Sequence, residues 1–174
     1  KDLLEKDTAT IDMFYSVDNA LHNISSLHKE QLDPKMVELW SLLFEKNRKR
    51  LTLYNKFSFT SRETVKIFLS FTTCKRFDLF KQTVNSILNH WTDIDKVDYW
   101  FCVDDNSSEE DRVKMTSSYP WINYRMKTPE EKGHRQSMNI IWDKLKELGP
   151  VYWIHMEDDF LFHTKMNYVG EAIS

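Results

Sequence analysis

The sequence predicts an α/β fold, a mainly parallel sheet with helices on both faces, preceded by an N-terminal helical hairpin. Three observations predict it. From residue 65 onward, four short and nearly continuous apolar runs alternate with helical stripes, the pattern of parallel strands covered on both faces by their crossover helices. Before residue 57 the apolar periodicity is helical. The polar, chemistry-bearing residues gather directly after the four apolar runs, where open parallel sheets place their ligands.

In residues 8–27 the apolar positions Ile11, Phe14, Val17, Leu21 and Ile24 recur every three or four residues, the one-face stripe of an amphipathic helix. Asp33-Pro34 then supplies an N-cap and a proline at the first helical position. The second stripe contains Met36, Val37, Trp40, Leu43, Phe44 and Leu51. Lys46, Arg48, Lys49 and Arg50 lie toward its C-terminal end, where the helix dipole favours cations; contact with phosphates is the other reading of that cluster. The expected organisation is a hairpin over 1–56, a polar linker over 57–64 and an α/β domain over 65–174.

In that domain, residues 65–71 form the first strand, followed by a helix bearing Phe77, Phe80, Val84, Ile87 and Leu88. Residues 97–103 form the second strand. Ser107-x-x-Glu110 reads as a capping box that opens a short helix ending before Pro120. Residues 122–126 give a third, weaker strand. The next helix carries Met138, Ile141, Trp142 and Leu145 and stops at Gly149-Pro150. Residues 151–156 form the fourth strand, expected to be buried. Trp121, Trp142 and Trp153 are expected in the core.

Composition excludes several classes. The 174 residues, 41% hydrophobic and 14% aromatic, suffice for a packed domain of ordinary size with a small appendage. A net charge of −3 gives no global field to recruit nucleic acid or an anionic membrane. No apolar run approaches the roughly 18–20 residues of a membrane span, and the opening KDLLEKD has no signal-peptide core. Cys74 and Cys102 lack metal-ligand spacing and suit a reducing compartment, so a cytoplasmic location is expected. The sequons at Asn23 and Asn106 agree with it, because a glycan on Asn106 would block the site described next. Beginning at Lys1 and stopping at Ser174 without a closing signal, the chain is expected to be a piece of something longer.

The segment that organises the rest is VYWIHMEDDFLF, residues 151–162: an apolar strand running into Glu157, Asp158 and Asp159. Three adjacent carboxylates repel one another unless a cation sits among them, and a hard divalent ion takes one or two carboxylates plus substrate phosphates. A lone EDD is equally an acidic turn on a solvated face. The other three strand ends shift the balance toward a metal-diphosphate site. After the first run come Thr72, Thr73, Cys74, Lys75 and Arg76; after the second, Asp104, Asp105, Asn106 and Ser107; after the third, Lys127 to Arg135. All four loops are expected on one edge of the sheet. No glycine-rich turn follows the first run and no G-x-x-x-x-G-K-[ST] is present, which excludes ordinary dinucleotide and P-loop binding. His134 reads best as an exposed loop residue and His155 as packed or hydrogen-bonded, while His163 is open to either reading. Cys74 has no adjacent base to make it a nucleophile.

The segments FLSFTTCKRFDLFKQTVNSIL, WFCVDDNSSEED, KGHRQSMNII and WIHMEDDFLF, in that order, resemble the N-terminal, nucleotide-sugar-binding half of a family 2-type glycosyltransferase of the GT-A fold, a Rossmann-like architecture. They are also similar to glycosyltransferase-like proteins of giant DNA viruses, which would place such a protein in host cytoplasm. The resemblance covers roughly residues 65–162. It implies that Thr73 and Arg76 lie against the nucleotide, that Asp104 and Asp105 contact base and ribose, and that Arg135 faces base or diphosphate. It further implies that Glu157 and Asp159 match the ends of the Asp-x-Asp motif, with Asp159 the principal ligand of Mn²⁺ or Mg²⁺ and Asp158 a ribose contact. Asn139 matches a helix asparagine of the family. Cys74, Lys75, Asn106 and Glu157 depart from the family's Tyr, Asn, Gly and Asp.

The implied activity is metal-dependent transfer of a sugar from a nucleotide-sugar, by the resemblance a UDP-sugar, to a hydroxyl of an unidentified glycan or protein acceptor. The general base and acceptor pocket are expected in a C-terminal half that this chain lacks. The alternative is a non-catalytic nucleotide-binding or protein-interaction module on a degenerate GT-A scaffold, with partner docking or self-association through the N-terminal helices. A metal-dependent phosphoryl enzyme fits less well, since such folds carry their key acid after the first strand, where this chain has TTCK.

Overall fold

The structure is a computed structural model that describes residues 65–174 together with Glu45, Arg48, Lys49 and Leu53. The chain divides into two compact units, Lys1–Lys56 and Phe57–Ser174. In the first, the four described residues are helical, and Lys49 pairs with Glu45 at 3.5 Å one turn away. The expected helix over 8–27, the Asp33-Pro34 start and the linker over 57–64 lie outside the described residues.

The second unit runs β1 (Ile67–Thr73), α1 (Phe77–His90), a 3-10 turn (Ile94–Lys96), β2 (Tyr99–Asp104) and α2 (Glu109–Ser118). It continues with β3 (Asn123–Met126), a second 3-10 turn (Pro129–Glu131), α3 (His134–Leu148), β4 (Tyr152–Glu157) and α4 (Tyr168–Ile173). The sheet is four-stranded and all parallel, in the order β3-β2-β1-β4. It is the α/β, Rossmann-like arrangement. The chain builds outward from β1 to β3, and α3 then returns it past β1 to β4. Strand order therefore reverses beside β1, which sets a crevice at the carboxyl ends of β1 and β4.

Period two divides the strands between two apolar layers. On one face Phe68, Phe101 and Val103 pack with Ile141 of α3, flanked by Met138, Leu145 and Trp153. On the other, Phe71 stacks on Trp100 at 5.9 Å and meets Phe80 of α1 edge-on, while Tyr119 and Trp121 close the aromatic layer. The predicted stripe of α1 is buried at Phe80, Val84, Ile87 and Leu88, and two polar residues, Thr83 and Ser86, are buried with it. α3 ends at Gly149 in the left-handed conformation, φ 57°, as the Gly-Pro stop predicted.

Three expectations are corrected. The fourth strand is not buried: Val151 is 69% exposed, Tyr152 is exposed, and only Met156 is fully covered. Among the described residues β4 pairs with β1 alone, so it ends the sheet. Trp142 follows suit, 49% exposed and edge-on to Trp153 at 4.9 Å, whereas Trp121 is in the core. The cap of α2 is Ser108, which accepts the Asp111 amide at 3.1 Å. Ser107 is not free to cap, because its amide donates to Asp104 and its hydroxyl accepts the Lys75 amide at 2.7 Å.

Asp93 ties α4 to the turn before β2. Its carboxylate accepts the amides of Val169 and Gly170 at 3.2 and 2.8 Å and pairs with Lys96 at 3.2 Å. Burial alone would raise its pKa, but the two amides and Lys96 outweigh that and hold it below the usual carboxylate value of 3.8. A depressed folded pKa contributes stability that is present above the unfolded value and lost as pH falls through the folded one. Asp93→Ala is accordingly expected to cost about 2 kcal/mol at neutral pH. In urea titrations the gap from wild type should narrow only below about pH 4; a gap independent of pH would show that the charge of Asp93 is not what holds α4.

Candidate functional site

The strand ends form one rim, stitched by hydrogen bonds between neighbouring loops. The Asp105 amide donates to the Thr73 carbonyl at 2.7 Å, the Cys74 thiol donates to the Asp105 carbonyl at 3.0 Å, and the Lys75 amide donates to Ser107. Lys75 and Asn106 take positive φ, 55° and 63°. Asparagine tolerates this conformation better than most residues, which lets Asn106 stand where the resembled motif has glycine.

Three carboxylates turn inward and bind the rim together. Asp104 is fully buried and accepts the Ser107 amide at 3.1 Å and Arg112 Nε at 2.8 Å, and Arg112 goes on to the Lys127 carbonyl at 2.5 Å. Asp105 accepts Lys127 Nζ at 2.8 Å and the Gly133 amide at 2.9 Å, which draws the N-terminus of α3 to the rim. Asp158, also fully buried, accepts Thr73 Oγ1 at 2.8 Å, the Cys74 amide at 3.4 Å and Arg76 Nη2. Behind it, the Thr83 hydroxyl lies 2.8 Å from the carbonyls of both Asp158 and Phe160, which share its single proton, and Ser86 Oγ accepts the Phe162 amide. The two polar residues on the buried face of α1 thus dock the acidic loop.

This placement redistributes the residues singled out in the sequence. Thr73, expected against the nucleotide, and Asp104 and Asp158, expected against base or ribose, are buried and hydrogen-bonded within the protein; the Arg76 guanidinium is given to Asp158. A carboxylate cannot lie in an apolar layer uncompensated, and here each buried acid has a cation and an amide or hydroxyl as partners. Glu157, Asp159 and Arg135 are exposed, and the side chain of Asp105 keeps 14% of its surface. Asn139 lies exposed on α3 and His163 exposed beyond β4. Lys127 and Gly133 fall in the expected loop after the third strand without an assigned role, and Arg112 and Thr83 were given none. Their only signal in the sequence was position at a strand end or on an apolar helix face.

The electrostatics follow from burial. Asp105 would be raised by desolvation, but Lys127, the Gly133 amide and Lys132 hold it below the ordinary carboxylate value. Burial and the charges of Asp105 and Asp104 raise the Cys74 thiol, with Lys132 and Lys75 opposing, so it stays protonated at neutral pH. That agrees with its dismissal as a nucleophile. His155 Nδ1 lies 2.9 Å from Ser70 Oγ, which also accepts Trp153 Nε1 at 2.8 Å, leaving the hydroxyl proton for the imidazole. Burial lowers the His155 pKa below 6.5, helped by His134 and opposed by Glu157. Stability should therefore fall as pH drops below about 6.5, where the unfolded chain takes up the proton first. His155→Gln removes that step. The stability difference between wild type and variant should shrink from pH 8 to pH 5, and a constant difference would rule out the half-buried neutral imidazole.

Among the described residues no group of three or more His, Cys, Asp or Glu is gathered to hold a metal. Glu157 and Asp159 are two exposed hard-oxygen donors flanking the buried Asp158, and Asp159 Oδ2 lies 3.8 Å from Arg76 Nη1. Such a pair fits Mg²⁺ or Mn²⁺ only if substrate oxygens complete the shell. α3 begins at Gly133, φ 127°, with no side-chain cap, and has no acidic residue in its first turn. Its leading amides and Arg135 suit an anion. A groove of about 420 Å³ between β2, β3 and α3, floored by Tyr99, Phe101 and Tyr124, contains none of the rim residues. Among the described residues no helix is long and apolar enough to cross a membrane.

No protein-family model matches this sequence, and no curated protein matches it.

Proposed function

We propose that the rim binds a nucleoside diphosphate, and that the chain supplies the donor-binding half of a metal-dependent glycosyltransferase using a nucleotide-sugar such as a UDP-sugar. The observation that carries this reading is the sorting of acids along a single rim: Asp104 and Asp158 are spent on holding loops, while Glu157 and Asp159 are exposed and Asp105, bonded to the Gly133 amide at the start of α3, keeps part of its surface open. Asp105 accepts a hydrogen bond from the base or ribose with its less committed oxygen, Oδ2, which among the described residues accepts only the Gly133 amide, at 3.1 Å. The first amides of α3 and Arg135 receive phosphate oxygens. Glu157 and Asp159 hold Mn²⁺ or Mg²⁺. That ion, when bound, neutralises the charge that develops on the diphosphate as the sugar departs. Asp159 must then give up its loose contact with Arg76, which stays anchored on Asp158. No residue is assigned as general base, and the acceptor remains a glycan or protein hydroxyl.

The second reading, a nucleotide-binding or interaction module without transfer, is favoured by the exposed apolar set of Val151 and Tyr152 at the start of the terminal strand and Trp142 on α3. Calorimetric titration with UDP and GDP, each with Mn²⁺ and with EDTA, tests the first. Metal-dependent binding of one nucleotide supports it. Absence of binding by folded protein removes it and leaves the interaction module.

A further inference from the structure

We propose that Lys127 is the positioning residue of this rim: one buried ammonium fixes at once the Asp105 carboxylate and the loop that delivers the start of α3. The proposal rests on the nucleotide-binding reading for its functional consequence, and on geometry alone for its structural one.

Lys127 follows β3 directly, and its side chain has no exposed surface. A lysine so buried is rare unless paired, because desolvating an ammonium is costly. All three of its donor hydrogens are used: Nζ bonds Asp105 Oδ1 at 2.8 Å, the Gly133 carbonyl at 2.8 Å and Ser137 Oγ at 2.9 Å. Its backbone is held as well, the amide donating to the Asp104 carbonyl at 3.0 Å and the carbonyl accepting Arg112. Gly133 closes the circuit, since its carbonyl takes Lys127 while its amide serves Asp105. Ser137 lies one turn into α3, so the ammonium binds the helix at two levels.

Two consequences follow for a ligand. With Oδ1 held by Lys127 and the Gly133 amide reaching both oxygens, Asp105 cannot rotate freely, which leaves Oδ2 as its less committed acceptor. With Gly133 pinned, the leading amides of α3 stand beside that oxygen at fixed distance. The two groups assigned to the nucleoside and to its phosphates are therefore set by a side chain that touches neither.

Lys127→Met keeps the stem and removes the charge and donors. Three readouts are taken on the full chain. Without ligand, amide hydrogen exchange over 128–137 should speed by about tenfold while β1 and β2 stay unchanged. The Asp105 carboxyl, followed by ¹³C NMR, should titrate at higher pH, since Lys127 is lost and only Lys132 and the Gly133 amide oppose its burial, with the Cys74 thiol neutral. UDP affinity with Mn²⁺ should fall by about tenfold or more, and adding Lys127→Met to Asp105→Asn should weaken binding little further, because both act through one carboxylate.

Unchanged exchange and an unmoved Asp105 titration would overturn the proposal. If wild type binds no nucleoside diphosphate, the functional reading falls, and the first two readouts still decide the role of Lys127. Should Lys127→Met not fold, Ser137→Ala removes one acceptor only. It is expected to speed exchange over 128–137 by about threefold, and no change there would count against the clamp.

Discussion

Asp158→Asn is expected to destabilise the Phe57–Ser174 unit by about 3 kcal/mol. The side chain is fully buried, and its oxygens accept Thr73, the Cys74 amide and Arg76. Asparagine preserves the shape but replaces one oxygen by an amide that faces donors. Arg76 is 46% exposed and returns in part to water, which places the expected cost at the lower end of the range for broken buried pairs. The loss spreads because Thr83 binds the Asp158 carbonyl, so the loop leading to Phe162 loosens with it. Urea titration with an unchanged slope would give the number. A change below about 0.5 kcal/mol would show that Asp158 holds nothing, and the division of acids into inward and outward sets would fail.

Asp159→Ala should do the opposite. Its side chain is 51% exposed, and its contact with Arg76 is long at 3.8 Å, so stability should stay within about 0.5 kcal/mol of wild type. Metal-dependent UDP affinity should fall by about a hundredfold, as expected when a principal carboxylate ligand is removed. Unchanged affinity would sink the metal assignment. The pair separates two neighbouring acids by readout: one variant loses fold stability first, the other loses the ligand with the fold intact.

Much of the architecture was legible because it rests on periodicity. The stripe Phe80, Val84, Ile87, Leu88 specified α1, and the continuous apolar character of IFLSFTT suited a central strand buried on both faces. Where β4 sits was not legible, since apolar composition does not reveal which strand ends a sheet, and Tyr152 and Trp142 are exposed for that reason. The site divides similarly. That the four strand ends form one rim followed from parallel topology.

Which acids face the ligand needed finer reasoning, and part of the signal was present. Both faces of β2 are buried, so alternation there does not tell Asp104 from Asp105. After β4 the same alternation carries Met156 inward, then Asp158, and leaves Glu157 and Asp159 outward. The partners that neutralise the buried acids were not legible. Arg112 lies eight residues from Asp104, on the helix that follows β2, and Lys127 lies twenty-two from Asp105, across the β2–β3 pairing.

The most direct measurement of whether four loops form one nucleotide site is the ¹⁵N–¹H NMR spectrum of the chain titrated with UDP and Mg²⁺. Perturbed amides should cluster at 73–76, 105–107, 133–136 and 157–160 and move together with a single affinity, while β3 and the groove beneath it stay still. Perturbations confined to one loop, centred on the groove of Tyr99 and Tyr124, or absent altogether would contradict a nucleotide site on this rim.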